Sequence, residues 1–418
     1  MHFPRKVYEF LKAGSIAHAR WDLEVSTSII KNRKMLIILG VMLMPIVIYC
    51  FGEAHAYIGG KEAYMPAFYE TKIFMVSIVI GLIAGLITGC IGAGGGFIIT
   101  PALMAAGVKG IQAVGTDMFH IFAKAIMGTS VHKKLGNVSG KLAIAFLAGS
   151  GIGTFLGGYL NRLFYNLDPI LSDLFISTIY SLILGFLGFY ALYDFVRLRR
   201  VASGGVGEGA HGAPSATTDI AVKLQNVKIP PMITFDEDFV PGGRQISSVI
   251  VACGGFIVGV LATLMGAGGG FVTFPMFVYI FGVSSMTTVG TDILQIIFTA
   301  GLGSIAQYAI YGFVFYSLAM GMLLGSLLGI QIGALTTKVV KGLHIRGFYA
   351  LSIISGFVNR IATLPKKLTE LGYASLSKPV IDNIEFVGNI IFWLSVGLFG
   401  VWVFSKFFAR MGELRGEE

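Results

Sequence analysis

The feature that most constrains this chain is a glycine-rich motif that occurs twice, each time at the end of a long apolar run. The first copy is GAGGGF at 92–97, with Pro101 shortly after it, and the second is GAGGGF at 266–271, followed by Pro275. Each glycine destabilises a helix by about 1 kcal/mol, so a run of glycines interrupts the helix in which it stands. The chain therefore has two halves, and glycine opens one helix in each.

The likeness between the halves extends beyond this motif. The triplet GTD at 115–117 recurs at 290–292, and the glycines spaced along 149–157 recur along 325–333. A register kept over so many residues indicates an internal duplication and not a low-complexity accident.

The composition is that of an integral membrane protein. Hydrophobic residues make up 55% of the chain and charged residues 13%, whereas a soluble domain contains roughly a quarter charged residues. A helix needs about 20 apolar residues to span a bilayer, and no run shows the polar-apolar alternation of a membrane barrel. The predicted spans lie at 35–51, 73–91, 142–160, 171–193, 246–265, 292–312, 314–336 and 384–405. We expect an all-α membrane protein with about 8 to 12 crossings.

Basic residues indicate the orientation of the chain. Lys and Arg outnumber acidic residues in the first 34 positions, and the positive-inside rule places such a segment in the cytoplasm. This segment is too long and polar for a cleaved signal peptide, so 35–51 is expected to remain as an anchor. If 97–108 crosses the membrane as unwound glycine plus a half-helix, the basic clusters at 132–134 and 197–200 are also cytoplasmic. We therefore expect two inverted repeats and cytoplasmic termini.

These spans predict five parts. They are a cytoplasmic N-terminal segment at 1–34, a first transmembrane repeat with its anchor span at 35–196, a cytoplasmic linker at 197–245, a second transmembrane repeat at 246–405 and a cytoplasmic tail at 406–418. The linker is too short for an enzyme domain and is interpreted as a tether with a small structured part. The segment 343–381 begins apolar and becomes basic, so either it lies along the membrane interface or the last crossings are misassigned.

The glycine runs suit an anion site. In secondary transporters, inverted repeats bring broken helices together, and their free N–H groups and positive dipole ends face the substrate. Glycine accepts positive φ and has no side chain to keep a ligand away. The glycines predicted to bind substrate are Gly92, Gly94, Gly95, Gly96, Gly266, Gly268, Gly269 and Gly270. The alternative role of membrane glycines is close helix packing, which we assign to Gly81, Gly85, Gly89, Gly149, Gly153 and Gly157.

Polar side chains follow each GTD triplet at helical spacing. Asp117, His120 and Lys124 are three and four residues apart and share one face of an otherwise apolar helix. Ionisable groups at membrane depth cost about 2.5 to 3.5 kcal/mol and usually face a substrate path. The corresponding residues of the second half are Asp292, Gln295 and Thr299, and the predicted substrate-binding set also includes Thr116 and Thr291.

Two alternatives remain for these residues. A Thr or Asp after Gly is a good helix N-cap, so Thr116, Asp117, Thr291 and Asp292 are equally well interpreted as caps. His120 is a candidate for coupling a proton, because histidine titrates near neutral pH, although a satisfied interior histidine is the commoner case.

Motifs of other functional classes are missing from the sequence. It has no HExxH, no GxSxG and no His or Cys cluster with metal-ligand spacing. The glycine runs lack the Lys-Ser/Thr ending of a P-loop, and no basic stripe interleaved with aromatics suggests nucleic acid. The sequence therefore predicts no enzyme activity, no cofactor, no metal site and no nucleic-acid partner.

The paired GAGGGF-to-Pro motifs, the GTD triplets and the two-half organisation resemble the TauE/SafE family of sulfite exporters, also described as domain of unknown function 81. The resemblance covers most of both halves. It implies a prokaryotic inner-membrane carrier that exports a small sulfur-containing or organic anion, such as sulfite, a sulfonate or sulfoacetate. It also implies roles for the motif residues, Pro101, Gly115, Pro275 and Gly290 among them.

An anion channel built on the same site and a membrane scaffold or sensor that signals through the linker remain alternatives. Partners expected from this interpretation are the anion and the lipid bilayer, with protons as a candidate coupling ion. The sequence leaves open which anion is carried, the coupling ion, the direction of transport, the oligomeric state and the roles of the segments 197–245 and 343–381.

Overall fold

The fold is built from helices that follow the apolar runs of the sequence. A computed structural model describes residues 71–91, 95–134, 139–203, 219–237, 242–336, 340 and 342–410. The predicted N-terminal segment, the anchor span and the end of the tail lie outside these residues, as do Gly92 and Gly94. All the described helices belong to one compact unit.

In the described part of the chain, twelve α-helices follow one another, with one two-stranded hairpin between them. They are α1 (Thr71–Ile91), α2 (Gly96–Ala105), α3 (Gly110–Lys134), α4 (Gly140–Leu167), α5 (Pro169–Ser203), α6 (Asp219–Gln225), β1 (Met232–Phe235), β2 (Arg244–Ser247), α7 (Ser248–Met265), α8 (Gly270–Pro275), α9 (Ser285–Leu302), α10 (Tyr316–Thr336), α11 (Gly342–Glu370) and α12 (Lys378–Ala409). Two π-helical segments, Met276–Phe281 and Gly303–Ala309, extend α8 and α9.

The predicted all-α membrane architecture is confirmed. Within the described residues, α1, α4, α5, α7, α10, α11 and α12 are long and apolar enough to cross a membrane. Two further elements correct the sequence analysis. Residues 110–134 form one continuous helix where no span was predicted. Residues 342–370, which include most of the segment that begins at 343, form helix α11, where no span was predicted. This helix packs against α5 and α12 and is long and apolar enough to cross a membrane.

Helix α1 of the first half packs against α10 of the second half. Gly81 faces the backbone of Met322, and further along Gly85 faces Ser326, so the two helices run parallel. Neither glycine has room for a side chain, because a Cβ atom would overlap the facing main chain. Small residues allow membrane helices to approach this closely.

The same arrangement joins α4 of the first half to α7 of the second half. Gly149 faces Ala252 and Gly157 faces Val260, so these helices are also parallel and in backbone contact. The glycines spaced four apart are thus packing residues, as predicted. We call these two glycine-lined contacts, α1 with α10 and α4 with α7, the exchanged seams, because each is formed by one helix from each half.

We expect Gly153→Ala to lower the stability of the protein. A methyl group at this position overlaps the carbonyl oxygen of Phe256 in α7, and overpacking costs typically about 1–3 kcal/mol. The matched control is Gly151→Ala on the same helix, where nothing lies within 4 Å of the new methyl group. Thermal melting of the purified variants in detergent checks this. Equal melting temperatures for the two variants would contradict the tight seam.

Helices that occupy corresponding places in the two halves meet in antiparallel pairs. In the pair α3 and α9, Gly115 faces Tyr308, whereas Phe122 further along α3 faces Gly301, earlier in α9. Helices α5 and α11 are antiparallel by the same criterion. Gly185 there faces Phe357, and Phe195 faces Gly347.

The short helix α2 runs back along α3. Gly96 at the start of α2 faces Ile121, and Met104 near its end faces Gly110 at the start of α3. The two helices therefore form an antiparallel hairpin whose turn follows Ala105. In the second half, α8 with its π-helical extension precedes α9 in the corresponding place.

The structured part of the linker packs onto the turn between the Met276–Phe281 segment and α9. The carboxylate of Asp236 accepts hydrogen bonds from Ser284 N at 2.8 Å and Thr287 Oγ1 at 2.6 Å. Arg244 Nη1 donates to the carbonyl oxygen of Gly282 at 2.5 Å. Three side chains of the hairpin, Ile233, Phe235 and Ile246, are buried in the adjoining core. We call the end of the bundle where α5 ends and α7 begins the linker end.

Candidate functional site

Both glycine motifs interrupt a helix, as predicted. Helix α1 ends at Ile91, and α2 begins after Gly95, whose φ is 70°. Helix α7 ends at Met265, and α8 begins at Gly270. The glycines between them lie in the left-handed region, with φ of 74° at Gly266, 63° at Gly268 and 90° at Gly269. Residues with a Cβ atom rarely adopt this backbone conformation, which explains the run of glycines.

The two interrupted helices meet each other. A Cβ atom on Gly96 would lie 2.8 Å from Cα of Ala267, so the start of α2 touches the second glycine turn. The aromatic rings of Phe97 and Phe271, which end the two motifs, pack with centroids 6.0 Å apart. Gly268 lies against Ile121 of α3. The duplicated motifs therefore form one region beside α3.

Carbonyl groups freed at the end of α7 are bound by side chains from three other elements. Donors to these carbonyls are Tyr308 to Thr263 at 2.5 Å, Asn161 to Leu264 at 3.5 Å and Tyr180 to Met265. Irregular backbone inside a membrane is tolerated where the protein satisfies it in this way. Sequence reasoning missed these donors, because they lie in three separate apolar segments and converge only in three dimensions.

The N–H groups that follow the second break have a different environment. Val272 N and Thr273 N both donate to the carbonyl oxygen of Gly269 at 2.8 Å. In the described part of the chain, the N–H groups of 268–271 find no acceptor. The first N–H groups of α8 are thus left without a described acceptor, at the positive end of the helix dipole.

The first polar cluster lies on α3. Asp117 and His120 are fully buried, and Lys124 is 9% exposed. Asp117 Oδ2 accepts a hydrogen bond from Thr100 Oγ1 of α2 at 2.9 Å. His120 Nε2 lies 3.0 Å from Ser326 Oγ of α10. The predicted shared face of the three residues is thus turned into the protein.

Two atoms of this cluster have no hydrogen-bond partner in the described part of the chain. They are Oδ1 of Asp117 and Nδ1 of His120, which lie 3.9 Å apart. Buried polar atoms are nearly always hydrogen-bonded, so a facing pair of unpartnered atoms points to a ligand or a proton that is held there. One turn further along α3, Lys124 Nζ donates to Thr88 Oγ1 of α1 at 3.3 Å.

The second polar cluster lies on α9 and contains no basic residue. Gln295 Nε2 donates to Asp292 Oδ1 at 2.8 Å, and Thr299 Oγ1 donates to Gln295 Oε1 at 2.8 Å. Thr299 Oγ1 also lies 3.1 Å from Ser150 Oγ of α4. Oδ2 of Asp292 lies 3.3 Å from the position of a Cβ atom on Gly270. The second carboxyl group therefore adjoins the second glycine turn.

The interpretation of the GTD residues as helix N-caps is wrong. Helix α3 begins at Gly110 and the N-cap of α9 is Ser284, so Thr116, Asp117, Thr291 and Asp292 lie within their helices. The two threonines instead bind the other half. Thr116 Oγ1 accepts from Phe315 N, just before α10, at 2.9 Å. Thr291 Oγ1 accepts from Ser139 N, just before α4, at 3.0 Å.

One buried cation was missed by the sequence analysis. Arg360 of α11 is 1% exposed and donates to Pro101 O of α2 at 3.3 Å and to Asn359 Oδ1. It therefore binds the main chain in the middle of the first half-helix. The sequence analysis counted it among the basic residues of the segment 343–381 and did not assign it to the site.

The described residues contain no cluster of His, Cys, Asp and Glu with the geometry of a metal site. The candidate site consists of two opened helices, the polar face of α3 with Asp117, and Asp292 of α9 beside the second glycine turn. It is enclosed by apolar helices of membrane-spanning length.

An enclosed polar region of this kind, inside a bundle of membrane-spanning helices, is typical of membrane transport proteins. The sequence bears this out, since the pattern of the family described as sulfite exporter TauE/SafE matches residues 77–359. The chain belongs to this family and is a multi-pass membrane transporter of the TauE/SafE type.

The chain is also similar to curated relatives. It is 25% identical over 276 residues to the probable membrane transporter protein YunE of Bacillus subtilis, covering 64% of this chain and 90% of that one. It is 27% identical over 258 residues to the probable membrane transporter protein YjnA of the same species, covering 62% and 87%. A shorter match, 32% over 91 residues, covers 20% of this chain and 33% of MJ0441, a probable membrane transporter protein of Methanocaldococcus jannaschii. No solved structure matches the chain.

Proposed function

We propose that the protein is a secondary carrier for a small sulfur-containing or organic anion, such as sulfite, a sulfonate or sulfoacetate, which binds between the two glycine turns. The observation that carries this proposal is the contact between the two opened helices at Gly96 and Ala267. Backbone N–H groups of 268–271 without an acceptor in the described residues adjoin this contact. Free N–H groups at a half-helix N-terminus attract anions.

Protons are the proposed coupling ion. Asp117 Oδ1 and His120 Nδ1 are buried without a partner in the described residues, and Asp292 lies beside Gly270. A carboxylate next to an anion site repels the substrate, whereas a protonated carboxyl group donates a hydrogen bond to it. Proton uptake by these groups is therefore expected to favour anion binding.

Alternating access through inverted repeats is supported by the direction of the helices. The corresponding helices α3 and α9 are antiparallel, and so are α5 and α11, whereas the exchanged pairs are parallel. A twofold axis in the membrane plane produces this combination of directions. Inverted repeats allow a carrier to expose one central site to either side by rocking one unit against the other.

We further propose that the linker end is cytoplasmic. Arg197, Arg199 and Arg200 lie at the end of α5 on that side. At the other end, Lys366 pairs with Glu385 at 2.9 Å and Lys367 pairs with Asp173 at 3.3 Å. These ion pairs neutralise the two lysines, so their position on the outer side is compatible with the positive-inside rule.

Export is the proposed direction, because a membrane potential that is negative inside favours the exit of one negative charge by about 2.3 kcal/mol per 100 mV.

Counterflow in proteoliposomes tests this function. Vesicles loaded with unlabelled sulfite or a sulfonate are diluted into a trace of the labelled anion. A carrier accumulates label transiently against its gradient, because it exchanges one anion for another. Flux without accumulation would identify an anion channel instead. The absence of flux for all of these anions, in protein that is folded and inserted, would reject the proposal.

A further inference from the structure

A second cationic group, Arg162, lies in the last third of α4, away from the polar clusters of α3 and α9. Arg162 is half-buried, and its Nη1 donates to the main-chain oxygen of Gln307 at 2.8 Å and to Gln307 Oε1 at 2.7 Å. Its Cζ atom lies 4.1 Å from the centre of the Tyr311 ring. An arginine near a membrane surface usually extends towards water, but this one is held against the protein.

The partners of Arg162 are neutral. In the described part of the chain, no carboxylate forms an ion pair with it. Both hydrogen bonds use Nη1, and neither Nη2 nor Nε donates to a described residue. These two nitrogens form the edge of the guanidinium group that binds planar or tetrahedral oxyanions through paired hydrogen bonds.

The position of the guanidinium group is fixed by its neighbours. The side chain of Gln307 rests on Gly158, one turn before Arg162, where a Cβ atom would lie 2.6 Å from it. The aromatic face of Tyr311 holds the cation from the other side. A preorganised guanidinium loses little conformational entropy when it binds a ligand.

Arg162 is next to the wall of the central site. The preceding residue, Asn161, donates to Leu264 O, two residues before the second glycine turn. Because α4 begins at the linker end and runs parallel to α7, this part of α4 belongs to the opposite end of the bundle. Arg162 therefore lies at about the level where the second glycine turn begins, on the part of α4 nearer the end opposite the linker.

We propose that the free edge of Arg162 is an oxyanion-binding site at the end opposite the linker, where the anion docks between bulk water and the glycine turns. This assignment rests on the proposed transport function and adds a docking position to it. It selects anions with two adjacent oxygens, such as sulfite, sulfonates and carboxylates, over spherical halides, because only the former match the fork of donors.

Transport from each face separately tests the site. The protein is reconstituted in vesicles in a single orientation. Cleavage at a protease site introduced at 204–218 reports that orientation. We expect Arg162→Gln to raise the KM for sulfite supplied at the end opposite the linker about tenfold, since charge-assisted hydrogen bonds are lost. We expect Arg162→Lys, which keeps the charge but loses the fork, to raise it less. The KM for sulfite supplied at the linker end stays within about twofold.

The control is Arg199→Gln, which removes the same charge from an exposed position near the end of α5 and is expected to leave the KM at the opposite end unchanged. Salt adds a second measurement. Screening weakens attraction to a charged docking site, so the wild-type KM at that end rises with ionic strength more than the KM of Arg162→Gln does.

A KM that is unchanged at both faces, or raised equally at both, overturns the assignment. If Arg162→Gln fails to insert, Arg162→Lys decides the question by the same comparison. Failure of the underlying function has a different result, because the wild-type protein then carries no anion from either face.

Discussion

We expect Gly269→Val to abolish anion transport while the protein still inserts into the membrane. Gly269 has φ of 90°, and a left-handed backbone costs a residue with a Cβ atom roughly 1–2 kcal/mol. Valine also places a branched side chain next to the unbound N–H groups of the turn. Its Cβ atom would lie 3.1 Å from Cγ1 of Val258. Displacing a binding group by about 1 Å reduces rates by about 100-fold. Sulfite flux in proteoliposomes measures the loss.

The matched control for this variant is Gly372→Val. Gly372 has φ of 78°, and nothing lies within 4 Å of a Cβ atom there, so valine introduces the same kind of backbone strain away from the site. We expect this control to lose stability but keep its flux. Equal loss of flux in both variants would attribute the effect to strain alone, and normal flux in Gly269→Val would exclude the turn as a binding element.

The second large effect is expected for Asp117→Asn. The substitution keeps the shape of the side chain and the hydrogen bond from Thr100, but removes the group that gains and loses a proton. Lys124 on the same helix face also loses its nearby opposite charge. Breaking a buried charge arrangement costs several kcal/mol, so we expect flux to fall by about tenfold or more. The remaining flux no longer responds to an imposed pH gradient.

This experiment requires a transported anion whose own charge is constant over the pH range, such as a sulfonate. Asp168→Asn is the control, because Asp168 accepts from Ile170 N at 2.6 Å at the start of α5, away from the polar clusters. Wild-type flux and an unchanged response to pH in Asp117→Asn would remove this carboxyl group from the coupling scheme.

Much of the fold followed from local sequence rules. The helix breaks were predictable because consecutive glycines disfavour a helix on every face, and the structure interrupts both helices there. Packing glycines were predictable from their spacing of four. The burial of Asp117, His120 and Lys124 on one face followed from the helical period, and the structure confirms it.

The errors arose where tertiary contacts override a local pattern. Residues 110–134 were not recognised as one long helix, because polar side chains lower the hydropathy of a segment whose residues 110–118 are all buried in the protein. Thr116 looked like a cap for its own helix, yet it binds Phe315 N, which is distant in the sequence. Arg360 was not assigned to the site for the same reason, since its partner, the carbonyl oxygen of Pro101, lies in the other half of the chain.

The exchanged glycine seams have a consequence for biosynthesis. Helix α1 leaves the ribosome long before α10, its partner, and α4 likewise precedes α7. During this interval the glycine face of α1 has only lipid or a temporary neighbour against it. A nascent chain that stops before α10 therefore lacks the native partner of its first described helix, and quality control has an early, unpaired surface to recognise.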